Sequence, residues 1–130
     1  MNNISEKIIF IVDDDFFCRE LYRTTLTGMG YKNVYIYDNG NDCIANLSMN
    51  PDLLFLDYNM EPMNGLDILK KVKETNSSTT VLLLSGCKDQ NVINSALEYG
   101  ALDYIIKNDN MVDSLQNTMK NRIQFQNSSL

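Results

Sequence analysis

Two short apolar runs in this chain end abruptly in carboxylates. Ile8-Ile9-Phe10-Ile11-Val12 runs into Asp13-Asp14-Asp15, and Leu53-Leu54-Phe55-Leu56 runs into Asp57. A run of bulky apolar residues bounded by polar ones reads as a strand buried on both faces, as in a parallel sheet covered by helices. Charges placed where such strands stop lie together at one edge of the sheet, the edge at which open α/β folds bind ligands. Converging carboxylates repel one another. Two charges about 4 Å apart at an effective dielectric near 20 cost roughly 4 kcal/mol. A divalent cation relieves that cost, and an oxygen-only donor set suits Mg²⁺. One such run is equally compatible with an ordinary strand-to-helix turn in which Asp15 is the N-cap. Two runs with matching partners later in the chain favour a shared site.

The rest of the pattern extends this reading. Strongly apolar segments stand at about 7–12, 52–57, 80–85 and 102–107, with a weaker, mixed strand at Val34-Tyr35-Ile36-Tyr37 that suits a sheet edge. Helical spacing is present between them. Residues 15–28 carry Phe17, Leu21 and Thr24-Thr25, 40–48 carry Ile44 and Leu47, and 65–75 carry Leu66, Leu69 and Val72. Residues 90–99 carry Val92, Ile93, Ala96 and Leu97, and 110–125 carry Met111, Leu115, Met119 and Ile123. These spacings predict one apolar stripe per helix, packed on a sheet. Gly28 and Gly30 fit the stop of the first helix. Strict βα alternation, five times over, predicts a doubly wound α/β domain with five parallel strands, right-handed crossovers and helices on both faces. The polar segment 124–130 reads as a flexible tail, and equally as a point where a longer protein continues.

Composition removes several classes of function. The chain has 130 residues, is 44% hydrophobic and carries a net charge of −6. That is one well-filled domain, and the acidic balance argues against a nucleic-acid surface, which needs clustered Lys and Arg. The densest basic patch, Lys70-Lys71-x-Lys73, reads as the solvated side of a helix. No apolar stretch reaches the length of a membrane span and the N-terminus lacks a secretory pattern, so a cytoplasmic protein is expected. Cys18, Cys43 and Cys87 are far apart, in no CxxC pair, and read as reduced thiols. The chain contains no His. That removes Ser-His-Asp and Cys-His catalysis, His-ligated zinc and phosphohistidine chemistry on this chain itself.

In the doubly wound order the ends of strands one, three, four and five lie side by side. They offer Asp13 and Asp14, Asp57, Ser85 and Lys107. Asp13 and Asp14 are hard oxygen donors for a hydrated Mg²⁺, and Asp57 is a donor and also a carboxylate nucleophile. Ser85 can donate to an oxyanion, and Lys107 is a point charge suited to a phosphoryl group. Phosphoryl transfer asks a protein mainly for position and positive charge around the equatorial oxygens.

These segments resemble a receiver domain of two-component response regulators, most closely the stand-alone chemotaxis type. The resemblance is carried by Ile11-Val12-Asp13-Asp14-Asp15, by Leu56-Asp57-Tyr58-Asn59-Met60 with Met63-Asn64-Gly65-Leu66, by Leu84-Ser85-Gly86, and by Asp103-Tyr104-Ile105-Ile106-Lys107. It covers about residues 7–122 and treats 1–130 as a single receiver domain. It implies a flavodoxin-like (βα)5 fold with strand order 2-1-3-4-5. It implies that Asp57 accepts a phosphoryl group from a phosphohistidine on a sensor histidine kinase or a histidine phosphotransfer protein. Asp14 and Asp57 would bind Mg²⁺ (or Mn²⁺) directly with the backbone carbonyl of Asn59, and Asp13 through water. Lys107 would contact the phosphoryl oxygens, Ser85 would move to hydrogen-bond them, and Tyr104 would turn inward. Asn59, Gly86 and Cys87 would flank the phosphoryl group, giving a lifetime of seconds to hours. The signal would leave through residues 90–99, Tyr104 and 110–122 to a downstream protein, from a monomer or weak dimer.

Two departures from the family pattern stand out. Asn108 replaces the usual Pro after Lys107. A cis bond before a non-proline costs about 2.5–4 kcal/mol, so Lys107–Asn108 is expected to be trans, with an altered loop. The Pro normally found four residues after Asp57 is displaced to Pro62, with Glu61 in its place. Two other functions remain to be separated. An aspartate-dependent phosphohydrolase needs an acid at the position of Asn59, which cannot fill that role, so no enzymatic turnover beyond self-dephosphorylation is expected. A receiver-like interaction module that no longer takes phosphate is the other. A flavodoxin is disfavoured because no Ser/Thr-rich phosphate loop follows strand one.

Overall fold

The structure, a computed structural model, describes residues 4–123. The tail expected at 124–130 lies outside the described residues. The five strands are β1 (Ile8–Val12), β2 (Asn33–Tyr37), β3 (Leu53–Asp57), β4 (Thr80–Ser85) and β5 (Asp103–Ile106). The helices are α1 (Phe16–Gly28), α2 (Gly40–Ala45), α3 (Gly65–Thr75), α4 (Gln90–Glu98) and α5 (Met111–Asn121). The strands form one parallel sheet in the order β2-β1-β3-β4-β5. The expected order is therefore found.

Alternation along the strands divides the core in two. Ile9, Ile11, Leu53, Phe55, Leu82 and Leu84 face α1 and α5, where they meet Tyr22, Leu26, Leu115 and Met119. Phe10, Val12, Leu54, Leu56, Val81 and Leu83 face the other way, against Ile68, Leu69, Val72 and Ala96. Every residue of β3 is buried. This is why its sequence is an unbroken apolar run and not an alternating one.

Some expected packing faces are rotated. Phe17 is 70% exposed, and α1 packs through Tyr22 and Leu26. These two, with half-buried Cys18, form a stripe spaced by four; the expected Leu21 also packs against this core, half-buried, while Phe17 does not. On α4, Ala96 is buried as expected, but Leu97 is exposed. The segment expected as one helix over 40–48 is α2 followed by a separate 3-10 turn, Leu47–Met49. Gly28 is the last residue of α1, and the stop itself belongs to Gly30, whose φ of +104° favours glycine. Met111, Leu115 and Met119 of α5, and Ile123 just past its end, are buried as expected.

One glycine fixes how α3 leaves the sheet edge. Gly65 opens α3 behind the Asn64 N-cap, and its N–H donates to the Tyr58 carbonyl at 2.9 Å. A Cβ there would lie 2.7 Å from the Asp57 carbonyl oxygen and 2.7 Å from Tyr58 Cα. Both are backbone atoms, so the strand end itself must move. Gly65→Ala is expected to cost about 1–3 kcal/mol, read as a lower urea midpoint; an unchanged midpoint would show that the strand end yields freely.

Candidate functional site

The C-terminal ends of β1, β3, β4 and β5 each deliver one polar side chain to the same edge. Asp13 directly follows β1, and its N–H continues the ladder by donating to the Tyr37 carbonyl at 3.1 Å. Asp13 is fully buried, Asp14 is exposed, and Asp15 caps α1 by accepting from the Phe17 N–H. The N-cap reading of Asp15 therefore holds alongside a clustered site. Asp57 closes β3 and is only 4% exposed. Carboxylate oxygens of Asp13, Asp14 and Asp57 all lie within 4.8 Å of one another.

Lys107, just after β5, supplies the balancing charge. Its Nζ is 2.9 Å from Asp13 Oδ2 and 3.0 Å from Asp57 Oδ1. The two contacts differ in kind. The first is an aligned hydrogen bond, whereas the second is a close ion-pair contact in which no donor is well aligned on the buried Asp57 Oδ1. That oxygen has lost water without gaining a full replacement. Burial first, and the Asp13 charge second, push the Asp57 carboxyl up to about 6, against the pull of Lys107. Burial opposes the Lys107 ammonium, but its two carboxylate partners outweigh it and hold its pKa above the ordinary lysine range.

The remaining expected residues line the same edge. Ser85 ends β4 with its side chain fully buried, and its Oγ accepts from the Cys87 N–H at 3.2 Å. Asn59 Nδ2 makes a long 3.5 Å contact to the same oxygen. Gly86 and Cys87 are exposed, and a Cβ on Gly86 would meet nothing within 4 Å. The half-buried Tyr104 donates its hydroxyl to the Cys87 carbonyl at 2.6 Å, linking β5 to the loop after β4. The Lys107–Asn108 bond is trans as expected; the cis bond among the described residues is Glu61–Pro62. In the loop, Asn108 Oδ1 accepts from the Asn110 N–H ahead of α5.

Sequence reasoning missed Arg19. Its Nη1 donates to the Asp13 carbonyl at 2.9 Å while its guanidinium stacks 5.7 Å from the Phe16 ring. It thereby pins the turn that presents Asp13. Its position six residues on, one turn into α1, belongs to no motif and so gave no signal in the sequence.

Comparison with known proteins agrees with this geometry. The sequence pattern of the response regulator receiver domain matches residues 9–118. The DNA-binding transcriptional regulator NtrC of Salmonella typhimurium is 35% identical over 101 residues, 77% of this chain but only 21% of that protein. The chemotaxis protein CheY of Bacillus subtilis is 30% identical over 100 residues, 76% of this chain and 83% of that protein. Among solved structures, a chain of the CheX–CheY–BeF3–Mg²⁺ complex from Borrelia burgdorferi superposes with a TM-score of 0.80 at 23% identity, over 91% of this chain and 90% of that one. The match over residues 9–118 and the similarity to most of a CheY lead to one conclusion: this chain belongs to the response regulator receiver domain family, the phosphoacceptor switches of two-component signalling.

Proposed function

We propose that Asp57 is the phosphoacceptor of this switch, with Asp13, Asp14, Asp57 and the backbone carbonyl of Asn59 holding Mg²⁺. The observation that carries the reading is Asp57 itself. It is a buried carboxylate with one oxygen in ion-pair contact with Lys107 but without an aligned donor, inside a cluster of three acids. Such a group is poised for a cation and for an electrophile. The donor set is all oxygen and fits a small hard ion; Mn²⁺ would suit it as well. When bound, the ion neutralises charge that develops on the phosphoryl oxygens.

The protein's own residues do the rest. An Asp57 oxygen forms the new O–P bond as the P–N bond of a phosphoimidazole breaks and the ring takes up a proton. The chain has no His, so the phosphoimidazole belongs to a partner, a sensor histidine kinase or a histidine phosphotransfer protein. Lys107 already reaches both Asp13 and Asp57 and can follow the charge outward onto the phosphoryl group. Ser85 exchanges its contacts with Cys87 N–H and Asn59 for a phosphoryl oxygen. That exchange loosens the loop whose carbonyl now holds Tyr104. The changed surface is α4, β5 and α5, which meets a downstream protein. The polar, non-basic Asn59 and Cys87 beside the site support a phosphoryl lifetime of seconds to hours, and no turnover of small phosphate esters. Among the described residues no helix is long and apolar enough to cross a membrane, in keeping with a cytoplasmic setting.

Acetyl phosphate and Mg²⁺, followed by intact mass, test the assignment. The expected result is a gain of about 80 Da, the mass of one phosphoryl group, that chelation prevents and Asp57→Asn removes. No gain in the wild type would leave the chain as an interaction module, and a gain that survives Asp57→Asn would move the acceptor elsewhere.

A further inference from the structure

The cavity beside the acid cluster has one wall that the family pattern does not supply. Its volume is about 400 Å³, and Asp14, Asn59, Met60 and Glu61 line it. Glu61 stands where the resemblance has Pro, and its side chain is exposed. Its carboxylate makes no hydrogen bond or ion pair with any described residue, and the same is true of Asp14. Asp14 belongs at once to this lining and to the cluster with Asp57, which is 4% exposed and has the buried Oδ1 on which no donor is aligned.

The charge balance of this edge is lopsided. Four carboxylates surround it, and the ammonium of Lys107 is already shared by Asp13 and Asp57. A dication cancels part of the excess, and Mg²⁺ bound by few carboxylates keeps several of its waters. Those waters present protons outward and need acceptors. Glu61 is not among the acids whose oxygens converge within 4.8 Å, which are Asp13, Asp14 and Asp57. It is therefore placed to receive the ion's waters and not the ion.

Resting on the metal site proposed above, we infer that Glu61 is an outer acceptor for the hydration shell of the bound cation and raises this chain's affinity for hydrated Mg²⁺. Groups that hydrogen-bond a metal's ligands commonly change affinity tenfold or more, and an exposed carboxylate acts through partly screened charge. The effect expected of Glu61 is therefore about threefold to tenfold.

Calorimetric titration of Mg²⁺ alone into the unphosphorylated full chain at low salt tests this. Glu61→Gln should bind about threefold to tenfold more weakly, and Glu61→Asp should keep part of the affinity. Asp14→Asn should lose at least tenfold, and Glu98→Gln, an equal charge change on α4, should stay within about twofold of wild type. If wild type binds no Mg²⁺, or Asp14→Asn binds as wild type does, the metal site itself falls and Glu61's role with it. If Asp14→Asn is impaired while Glu61→Gln matches wild type, only the role of Glu61 falls. Equal weakening by Glu61→Gln and Glu98→Gln overturns that role too, because net charge alone would then explain it.

Discussion

Lys107→Met in metal-free buffer at pH 8 is expected to lower the stability of the chain by about 2–4 kcal/mol. Met keeps most of the aliphatic stem, so the substitution isolates the ammonium. Without it, Asp13 and Asp57, with side chains 1% and 4% exposed, face each other as unpaired buried carboxylates. Breaking one partner out of a fully buried pair costs about 3–5 kcal/mol. The lower figure applies here because the Lys107 side chain is 18% exposed and water already screens part of its charge. The defect has two signatures that a simple packing loss lacks. It shrinks on acidification, because Asp57 takes up a proton more readily once the ammonium is gone. It also shrinks in Mg²⁺, because the ion replaces the missing positive charge. Urea unfolding at pH 8 and pH 5, in chelator and in Mg²⁺, measures all of this. A midpoint that falls equally under every condition would assign Lys107 to packing, and an unchanged midpoint would remove it from the charge balance.

The parts of this molecule that were legible in the sequence are those where one physical term dominates. Leu53-Leu54-Phe55-Leu56 reads as a central strand because a segment covered on both faces tolerates no polar residue until it stops. The site was legible for the same reason. Asp13, Asp57, Ser85 and Lys107 stand where apolar runs end, and parallel strands put those ends on one edge. The Lys107–Asn108 bond was predictable from the cost of a cis peptide without proline. Helix rotation was less legible. At α1, Phe17 and Tyr22 are both large and apolar, and only the sheet decides that Tyr22 turns inward beside Phe55, with their rings 6.1 Å apart. At α4, Ala96 is buried as its spacing predicted, whereas its neighbour Leu97, read onto the same stripe, is 47% exposed. Arg19 was invisible because it acts through a backbone carbonyl, Asp13 O, which no side-chain pattern marks.

The opposite sign is expected for Asp57→Asn, which should stabilise the metal-free chain by about 1–3 kcal/mol at pH 7.5 while removing phosphorylation. The carboxyl of Asp57 is pushed up to about 6 from its ordinary 3.8, by burial first and by Asp13 second. A raised carboxyl pKa means that the folded chain holds the proton more tightly than the unfolded one. Between pH 4 and pH 6 the unfolded state therefore binds fewer protons, and stability falls as pH rises through about that window. Above it the penalty is complete, and two pKa units correspond to about 2.7 kcal/mol as an upper figure. Asn has the shape of the protonated acid and carries no charge, so it avoids the penalty and keeps a polar group beside Lys107. The gain should be greatest above pH 6.5 and vanish near pH 4, where Asp57 is protonated in the folded wild type as well. Mg²⁺ should narrow the difference from the other side, because it stabilises the wild type through a carboxylate that the variant lacks. Thermal unfolding from pH 4 to 8, with and without Mg²⁺, reads both trends. A variant less stable than wild type at pH 7.5 without metal would mean that the ion pair with Lys107 outweighs burial and Asp13. Asp57 would then be a structural anchor and not a site held ready for a cation and a phosphoryl group.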